Sequence, residues 1–240
     1  MVSIETTRGA GGELGARGLA AIRGERLVFQ DLSFRSAPGD LLVVTGPNGS
    51  GKSTLLRLLA GLLAPARGEV SYAGRVVLGT GARPDDAYRS RLHYLGHDNA
   101  LKPALTVIEN LRFWAGFYGG RTDRAALLDA LRRFEVDRLA DLPVRVLSAG
   151  QRRRVALSRL TAVRRSLWIL DEPDAALDSY AGDLLAAVIA SHRASGGLVV
   201  AATHGSLAMG AQRELRLSAA GPRAPDSPPA WIEHSKAPVS

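Results

Sequence analysis

The stretch Gly46-Pro47-Asn48-Gly49-Ser50-Gly51-Lys52-Ser53-Thr54 constrains this chain more than any other. It fits G-x-x-x-x-G-K-[ST], a pattern whose backbone cradles phosphate. The apolar run Leu41-Leu42-Val43-Val44 precedes it and reads as a buried strand. Leucines at 55, 56, 58, 59, 62 and 63 follow at helical spacing. Strand, glycine-rich turn and helix in that order are the context the pattern requires. Glycine lets the backbone turn tightly and approach a ligand closely. Consecutive N–H groups at the helix start then face a polyphosphate, and the helix dipole favours its charge. Lys52 adds a point charge for the β- and γ-phosphates. Ser53 offers a hydroxyl to Mg²⁺, a hard cation that takes oxygen ligands. Lysine occurs only at positions 52, 102 and 236, so a chance match explains the pattern poorly.

A second constellation lies downstream. Leu167-Trp168-Ile169-Leu170 is a short buried strand ending in Asp171 and Glu172. At the carboxyl end of a strand the first acid can hold Mg²⁺, and the second can orient or deprotonate an attacking water. Alone, the pair could equally cap the next helix; the upstream phosphate loop favours the chemical role. About twenty residues earlier stands Leu147-Ser148-Ala149-Gly150-Gln151. Ser148 and Gln151 are spaced as a capping box. A glycine in the first helical turn is costly for a mere cap. It makes more sense where backbone N–H groups must stay open to an anion.

Composition bounds the rest. The 240 residues suggest one domain, perhaps with lobes, large enough for a substantial core. There is no cysteine, which excludes disulfides, thiolate metal sites and cysteine nucleophiles. No apolar run reaches the length of a membrane span, and the N-terminus lacks a signal-peptide core. The chain is therefore expected in the cytoplasm unless a partner holds it at a membrane. The net charge of +8 is nearly all arginine. No basic block is interleaved with aromatics, so the arginines, Arg152-Arg153-Arg154 included, read as solvated helix faces and no nucleic-acid partner is expected.

Along the chain, residues 1–12 read as a loose arm and 221–240 as a proline-bearing tail, disordered or loosely docked. Between them, 13–220 form the folded domain. Short apolar stretches at 19–22, 27–29 and 32–34 read as strands around a turn at Arg23-Gly24-Glu25. Residues 69–72 and 75–78 read as a hairpin about Ala73-Gly74, and 92–95 as a strand. Thr106 and Glu109 form a capping box that opens a mostly helical stretch to 165, broken at Gly119-Gly120 and Pro143. A helix over roughly 179–195 and a buried strand at 198–202 follow. The fold class is α/β: a parallel core sheet around the phosphate loop, an N-terminal antiparallel β region and an inserted helical lobe over about 97–165. His93 and His97 have the spacing of a helical ligand pair, but their segment reads as strand then loop and does not form one.

The phosphate loop, LSAGQ, ILDEP, Ala175-Ala176-Leu177-Asp178 and Ala202-Thr203-His204 stand in the order and spacing of ATP-binding-cassette (ABC) ATPases. The resemblance covers about residues 17–218. It implies a P-loop NTPase that binds ATP with Mg²⁺ and works as a homodimer packed head to tail. Each ATP would lie between the phosphate loop of one copy and Leu147 to Gln151 of the other, with Ser148 and Gly150 at the γ-phosphate. Glu172 would be the general base, His204 the γ-phosphate switch, Asp178 a contact across the dimer, and Ser53 with Asp171 the metal ligands. The chain departs from the family pattern in three places. Ala149-Gly150 replaces a glycine pair, Arg23 stands where an aromatic stacks on adenine, and His97 stands where a lid glutamine binds.

Tyr94-Leu95-Gly96-His97, Leu105-Thr106 with Glu109-Asn110-Leu111, and the arginine-rich helix after LSAGQ resemble one branch of that family. Its members are the ATP-binding subunits of haem exporters in bacterial cytochrome c maturation. The likeness implies integral membrane partners of the CcmB/CcmC type and a peripheral place at the cytoplasmic face of the inner membrane. The partner would dock around residues 97–120, with Phe113, Trp114, Phe117 and Tyr118 as candidate contacts. The alternatives are the ATPase subunit of another transporter, and a soluble cassette protein acting on nucleic acid.

Overall fold

The computed structural model describes residues 12–24, 26–80, 84, 86–203 and 213–218. The arm before Gly12, His204 and the tail from 221 lie outside the described residues.

Strands β1 (Leu14–Arg23) and β2 (Arg26–Ser36) form one antiparallel hairpin turning at Gly24. After β3 (Leu41–Thr45), strands β4 (Arg67–Tyr72) and β5 (Arg75–Gly79) form a second hairpin about Ala73-Gly74, as its turn residues predict. The two hairpins join in one sheet, in the order β2-β1-β4-β5. The apolar stretches at 27–29 and 32–34 belong to a single strand. Register shifts between β1 and β2, with Gly18 and Asp31 at φ of 56° and 53°, break the alternation that the sequence shows as separate pieces.

The core sheet adds β6 (Leu92–Leu95), β7 (Leu167–Asp171), β8 (Leu198–Ala202) and β9 (Arg213–Arg216), in the order β6-β7-β8-β3-β9 with every pair parallel. Strands buried on both faces read as continuous apolar runs. Here Leu41, Val43, Trp168, Leu170, Val199 and Ala201 belong to one core cluster. Leu42, Val44, Ile169, Leu198, Val200 and Ala202 belong to a second, shared with helix α1 (Lys52–Leu59) and the antiparallel sheet. The first cluster is closed by the helices downstream of a short α2 (Asp86–Arg89): α3 (Val107–Phe117), α4 (Arg124–Arg132), α5 (Ala149–Leu157), α6 (Arg159–Ala162) and α7 (Ser179–Ala194).

Local chemistry starts these helices where the sequence places their caps. Thr106 Oγ1 accepts from Glu109 N at 3.3 Å, and Glu109 Oε2 accepts from Thr106 N at 2.8 Å, closing the capping box of α3. Asp123 caps α4 through Ala126 N at 3.1 Å. Gly119, at φ 72°, ends the α3 segment, and Pro143 precedes a short 3-10 turn at Val144–Val146.

Candidate active site

The carboxyl ends of β3, β7 and β8 meet at the phosphate loop. Two of its glycines are required by geometry. Gly46 has φ 141°, and a Cβ there would lie 2.3 Å from the carbonyl of Leu217. Gly51 has φ 99°, and a Cβ there would meet Val28 at 2.4 Å. Gly51 is also the N-cap of α1 and supplies no side-chain cap. The first N–H groups of α1 thus donate to no capping side chain, and the helix end presents donors and a positive dipole to the cleft.

That cleft has a volume of about 690 Å³. Asn48, Gly49, Gly51, Lys52, Ser53 and Thr54 line it, with Glu172 on one side and Arg23, Arg26 and Val28 on another. Lys52 Nζ folds back onto its own loop, donating to the carbonyls of Gly46 at 2.8 Å and Pro47 at 3.2 Å. Ser50 is fully buried and its Oγ has no hydrogen-bond partner among the described residues. Ser53 Oγ donates to Asp171 Oδ1 at 3.1 Å, and Asp171 Oδ2 is buried without a hydrogen-bond partner among the described residues. A hydroxyl beside an orphaned carboxylate oxygen is a donor set that suits Mg²⁺.

Glu172 follows β7 at φ 48°, a left-handed conformation that costs a residue with a Cβ about 1–3 kcal/mol. Its N–H donates to the carbonyl of Ala202 at 2.8 Å, which fixes the turn. Its Oε2 lies 3.3 Å from Nδ1 of His97. The lid histidine therefore touches the candidate base directly. His93, by contrast, is buried in β6, with Nε2 2.8 Å from the carbonyl of Val163 and its ring edge-on to Tyr118. The two histidines share no site, as the strand-then-loop reading expects.

Arg153 corrects the sequence reading. It is no solvated helix face; it is 2% exposed. Its guanidinium donates to the carbonyls of Pro173 at 3.2 Å, Asp171 at 3.1 Å and Glu172 at 2.5 Å. It also reaches Asn99 Oδ1 at 3.1 Å and the carbonyls of Gly96 and His97 at 3.3 and 3.4 Å. Burial pulls its pKa down, and the carboxylates of Asp174, Asp171 and Glu172 pull it back. One fork thus ties α5, whose start carries the LSAGQ signature segment, to the lid loop and to the turn that carries the candidate base. The signal was in the spacing: Ala156, Leu157 and Leu160 lie three, four and seven residues beyond Arg153, on one helical face. Asp174, which accepts from Thr203 Oγ1 at 2.8 Å, and the cleft residues Arg26 and Val28 carried no comparable signal.

The remaining predicted residues lie apart from this cleft. Ser148 caps α5, accepting from Gln151 N at 3.2 Å, while Gln151 Oε1 accepts from Ser148 N at 2.9 Å. Leu147 is buried and anchors the turn; Ser148 and Ala149 face solvent. Gly150 lies close under the carbonyl of Ala176, where a Cβ would come to 3.1 Å. Asp178 caps α7 through Ala181 N at 2.8 Å. None of Leu147, Ser148, Ala149, Gly150, Gln151, His97 or Asp178 is among the described residues lining the cleft. Near the lid, Phe113 and Phe117 are 53% and 69% exposed, packed edge-on against Trp114. Trp114 is half-buried, with its Nε1 donating to Ala100 O at 3.1 Å and the Arg159 guanidinium 4.5 Å from its ring.

A parallel sheet, a phosphate loop capped by glycine and an acid pair at the carboxyl end of β7 define a P-loop ATPase. The family model described as ABC transporter matches residues 29–175, and the chain belongs to that family as one of its ATPase cassettes. It is 49% identical over 204 residues to the "Cytochrome c biogenesis ATP-binding export protein CcmA" of Paramagnetospirillum magneticum, covering 84% of this chain and 92% of that protein. It is 47% identical to the protein of the same description in Rhodopseudomonas palustris, covering 86% of this chain and 98% of the relative. Among solved structures it is similar to the ATP-binding cassette MJ0796, seen as a dimer in a post-hydrolysis state with ADP and Pi. The TM-score is 0.74 at 26% identity, over 86% of this chain and 96% of that one. An ATP-binding protein of an ABC transporter from Pyrococcus furiosus gives a TM-score of 0.73 at 25% identity, over 85% of this chain and 97% of that chain. The α/β architecture and ATP as ligand follow from this membership.

Proposed function

We propose that this chain is the ATP-hydrolysing subunit of a membrane complex that exports or delivers haem for cytochrome c maturation. The observation that carries the reading is near-half identity, over almost their whole length, to relatives described as cytochrome c biogenesis ATP-binding export proteins. No helix among the described residues is long and apolar enough to cross a membrane. The reading places the chain with integral subunits of the CcmB/CcmC type at the inner membrane. The exposed Phe113 and Phe117 beside the lid offer apolar surface for them.

The geometry supports a division of labour within the cleft. The loop N–H groups and Lys52, released from its own loop carbonyls, hold the β- and γ-phosphates. Ser53 and Asp171 would hold Mg²⁺, which when bound would supply positive charge to the phosphate oxygens. Glu172 orients and deprotonates the attacking water, and His97 fixes the position of its carboxylate. Ser148 and Gly150 are not among the described residues that line the cleft of their own copy. This fits a homodimer in which they complete the partner's site, with Asp178 near the seam and His204 as the γ-phosphate sensor.

The test is a pull-down from native membranes with the Glu172→Gln form, with and without ATP. Co-purification of a small set of haem-bearing membrane proteins supports the reading. Recovery of an unrelated permease keeps the ATPase mechanism and overturns the pathway. Recovery of ribosomes or nucleic acid without a membrane protein overturns both the pathway and the membrane role.

A further inference from the structure

A second cavity, of about 820 Å³, lies at the opposite ends of the core strands. Arg91 directly precedes β6, Ser166 precedes β7 and Gly197 precedes β8, and all three line it. Its walls come from both lobes: Arg133 follows α4, Leu160 and Thr161 lie on α6, and Leu184 and Val188 lie on α7. Four arginines line it (Arg91, Arg133, Arg164 and Arg165), and among the described residues no aspartate or glutamate does. Arg165 is engaged with the carbonyl of Tyr118 and with its ring. The side chains of Arg91, Arg133 and Arg164 make no hydrogen bond or ion pair among the described residues.

Unpaired like charges around a concave wall of low polarity focus a positive potential there. Trp168 and His192 stack in that wall, with centroids 3.8 Å apart and planes 4° from parallel. Trp168 is 4% exposed, and its Nε1 is a buried donor without a hydrogen-bond partner among the described residues. Burial first, and then the charge of Arg164, hold the His192 imidazole down to about 4, so at neutral pH the positive charge of this wall comes from the arginines. The volume falls within the roughly 300–1,000 Å³ of small-molecule sites.

We propose that this cavity binds a small organic anion: an apolar body lying on Leu160, Leu184, Val188 and Trp168, with a carboxylate, sulfonate or phosphate group met by Arg91, Arg133 and Arg164. The site is separate from the nucleotide cleft and does not depend on the membrane pathway proposed above.

The test titrates the full chain with anilinonaphthalene sulfonate, an aromatic anion that fluoresces on burial, under saturating ADP to fill the nucleotide cleft. One site per chain is expected to persist. Arg133→Glu with Arg164→Glu is expected to weaken it by about tenfold or more and to reduce its salt dependence. Ala187→Phe fills the cavity without changing charge and is expected to lose the site, which keeps the test decisive if the double variant folds poorly. Arg67→Glu with Arg75→Glu removes the same charge from the antiparallel sheet and is expected to leave binding unchanged. The inference is overturned if ADP displaces the probe. It is equally overturned if the folded cavity variants bind as the wild type does, or if Phe113→Ser with Phe117→Ser abolishes the signal instead.

Discussion

Replacing Arg153 tests how the site is assembled. Four of its contacts are 3.2 Å or shorter, to the carbonyls of Pro173, Asp171 and Glu172 and to Asn99 Oδ1. Each acceptor stranded without its donor costs about 1–3 kcal/mol, so Arg153→Met forfeits on the order of 4–12 kcal/mol gross. Removing the guanidinium also removes several kcal/mol of desolvation cost that the folded state carries. The net loss is on the order of 3–5 kcal/mol, as for other one-sided deletions of buried charge. A chain of this size loses about 2–4 °C of Tm per kcal/mol, which predicts a drop of about 6–20 °C. Urea unfolding and thermal melting of the apo protein read the stability. Steady-state phosphate release reads kcat, which should fall as well, because the Glu172 turn and the His97 loop lose a shared anchor. Arg153→Lys keeps the charge but not the planar fork, and should fall between the two. A methionine variant within about 1 kcal/mol of wild type, with undiminished turnover, would refute the bracing role.

Four further outcomes follow from the cleft and the core. Glu172→Gln should bind ATP and persist as a closed dimer without turnover, read by size-exclusion chromatography with ATP; fast hydrolysis would remove Glu172 as the base. Lys52→Ala loses a charge-assisted contact worth about 1.5–3 kcal/mol, so ATP affinity should fall roughly tenfold to a hundredfold by titration calorimetry. His97→Gln places an amide near Glu172 Oε2 and should keep most of kcat, whereas complete loss of hydrolysis would contradict a positioning role. Burial, the largest influence, pushes His93 down to about 3 from an ordinary value near 6.5. The unfolded chain therefore takes up the proton first, and this contribution to stability, full above about pH 6.5, drains away as pH falls toward 3. His93→Gln keeps a donor for the Val163 carbonyl and should flatten the urea midpoint between about pH 7 and pH 5; an unchanged slope would assign that acid sensitivity elsewhere.

The features legible in the sequence are those whose chemistry is contiguous along the chain. The phosphate loop, the Asp171-Glu172 pair and the capping boxes at Thr106 and Ser148 each sit within a few residues, and the structure forms the loop, the strand end and the caps in those places. The partners of Arg153 were illegible for the opposite reason, although the apolar spacing beyond it marked its face as buried. Most of its partners are backbone carbonyls, 18 to 57 residues away, and a carbonyl leaves no mark on residue type. Strand β9 was missed because Arg213-Glu214-Leu215-Arg216 shows no apolar pattern; it pairs with β3 through backbone groups on an exposed edge. The long hairpin of β1 and β2 was legible only in pieces, because Gly18 and Asp31 interrupt its alternation.

Helix α5 places two functions on one rigid element. At its start, Ser148 spends its side chain on the cap and leaves Ala149 and Gly150 near the surface, the end that a second copy would meet. One turn later, Arg153 grips the carbonyls of Asp171 and Glu172 and the lid loop at Gly96 and His97. A helix is stiff over so short a span, so displacement of the signature end is carried to the turn holding the base. In the proposed head-to-tail dimer the signature end would report on the partner's nucleotide, while Glu172 would act on the chain's own. The two sites would then be coupled through Arg153 without any contact between the nucleotides themselves. Such coupling makes a definite kinetic demand: a dimer mixing wild-type and Arg153→Lys copies should lose cooperativity in ATP hydrolysis before it loses ATP affinity.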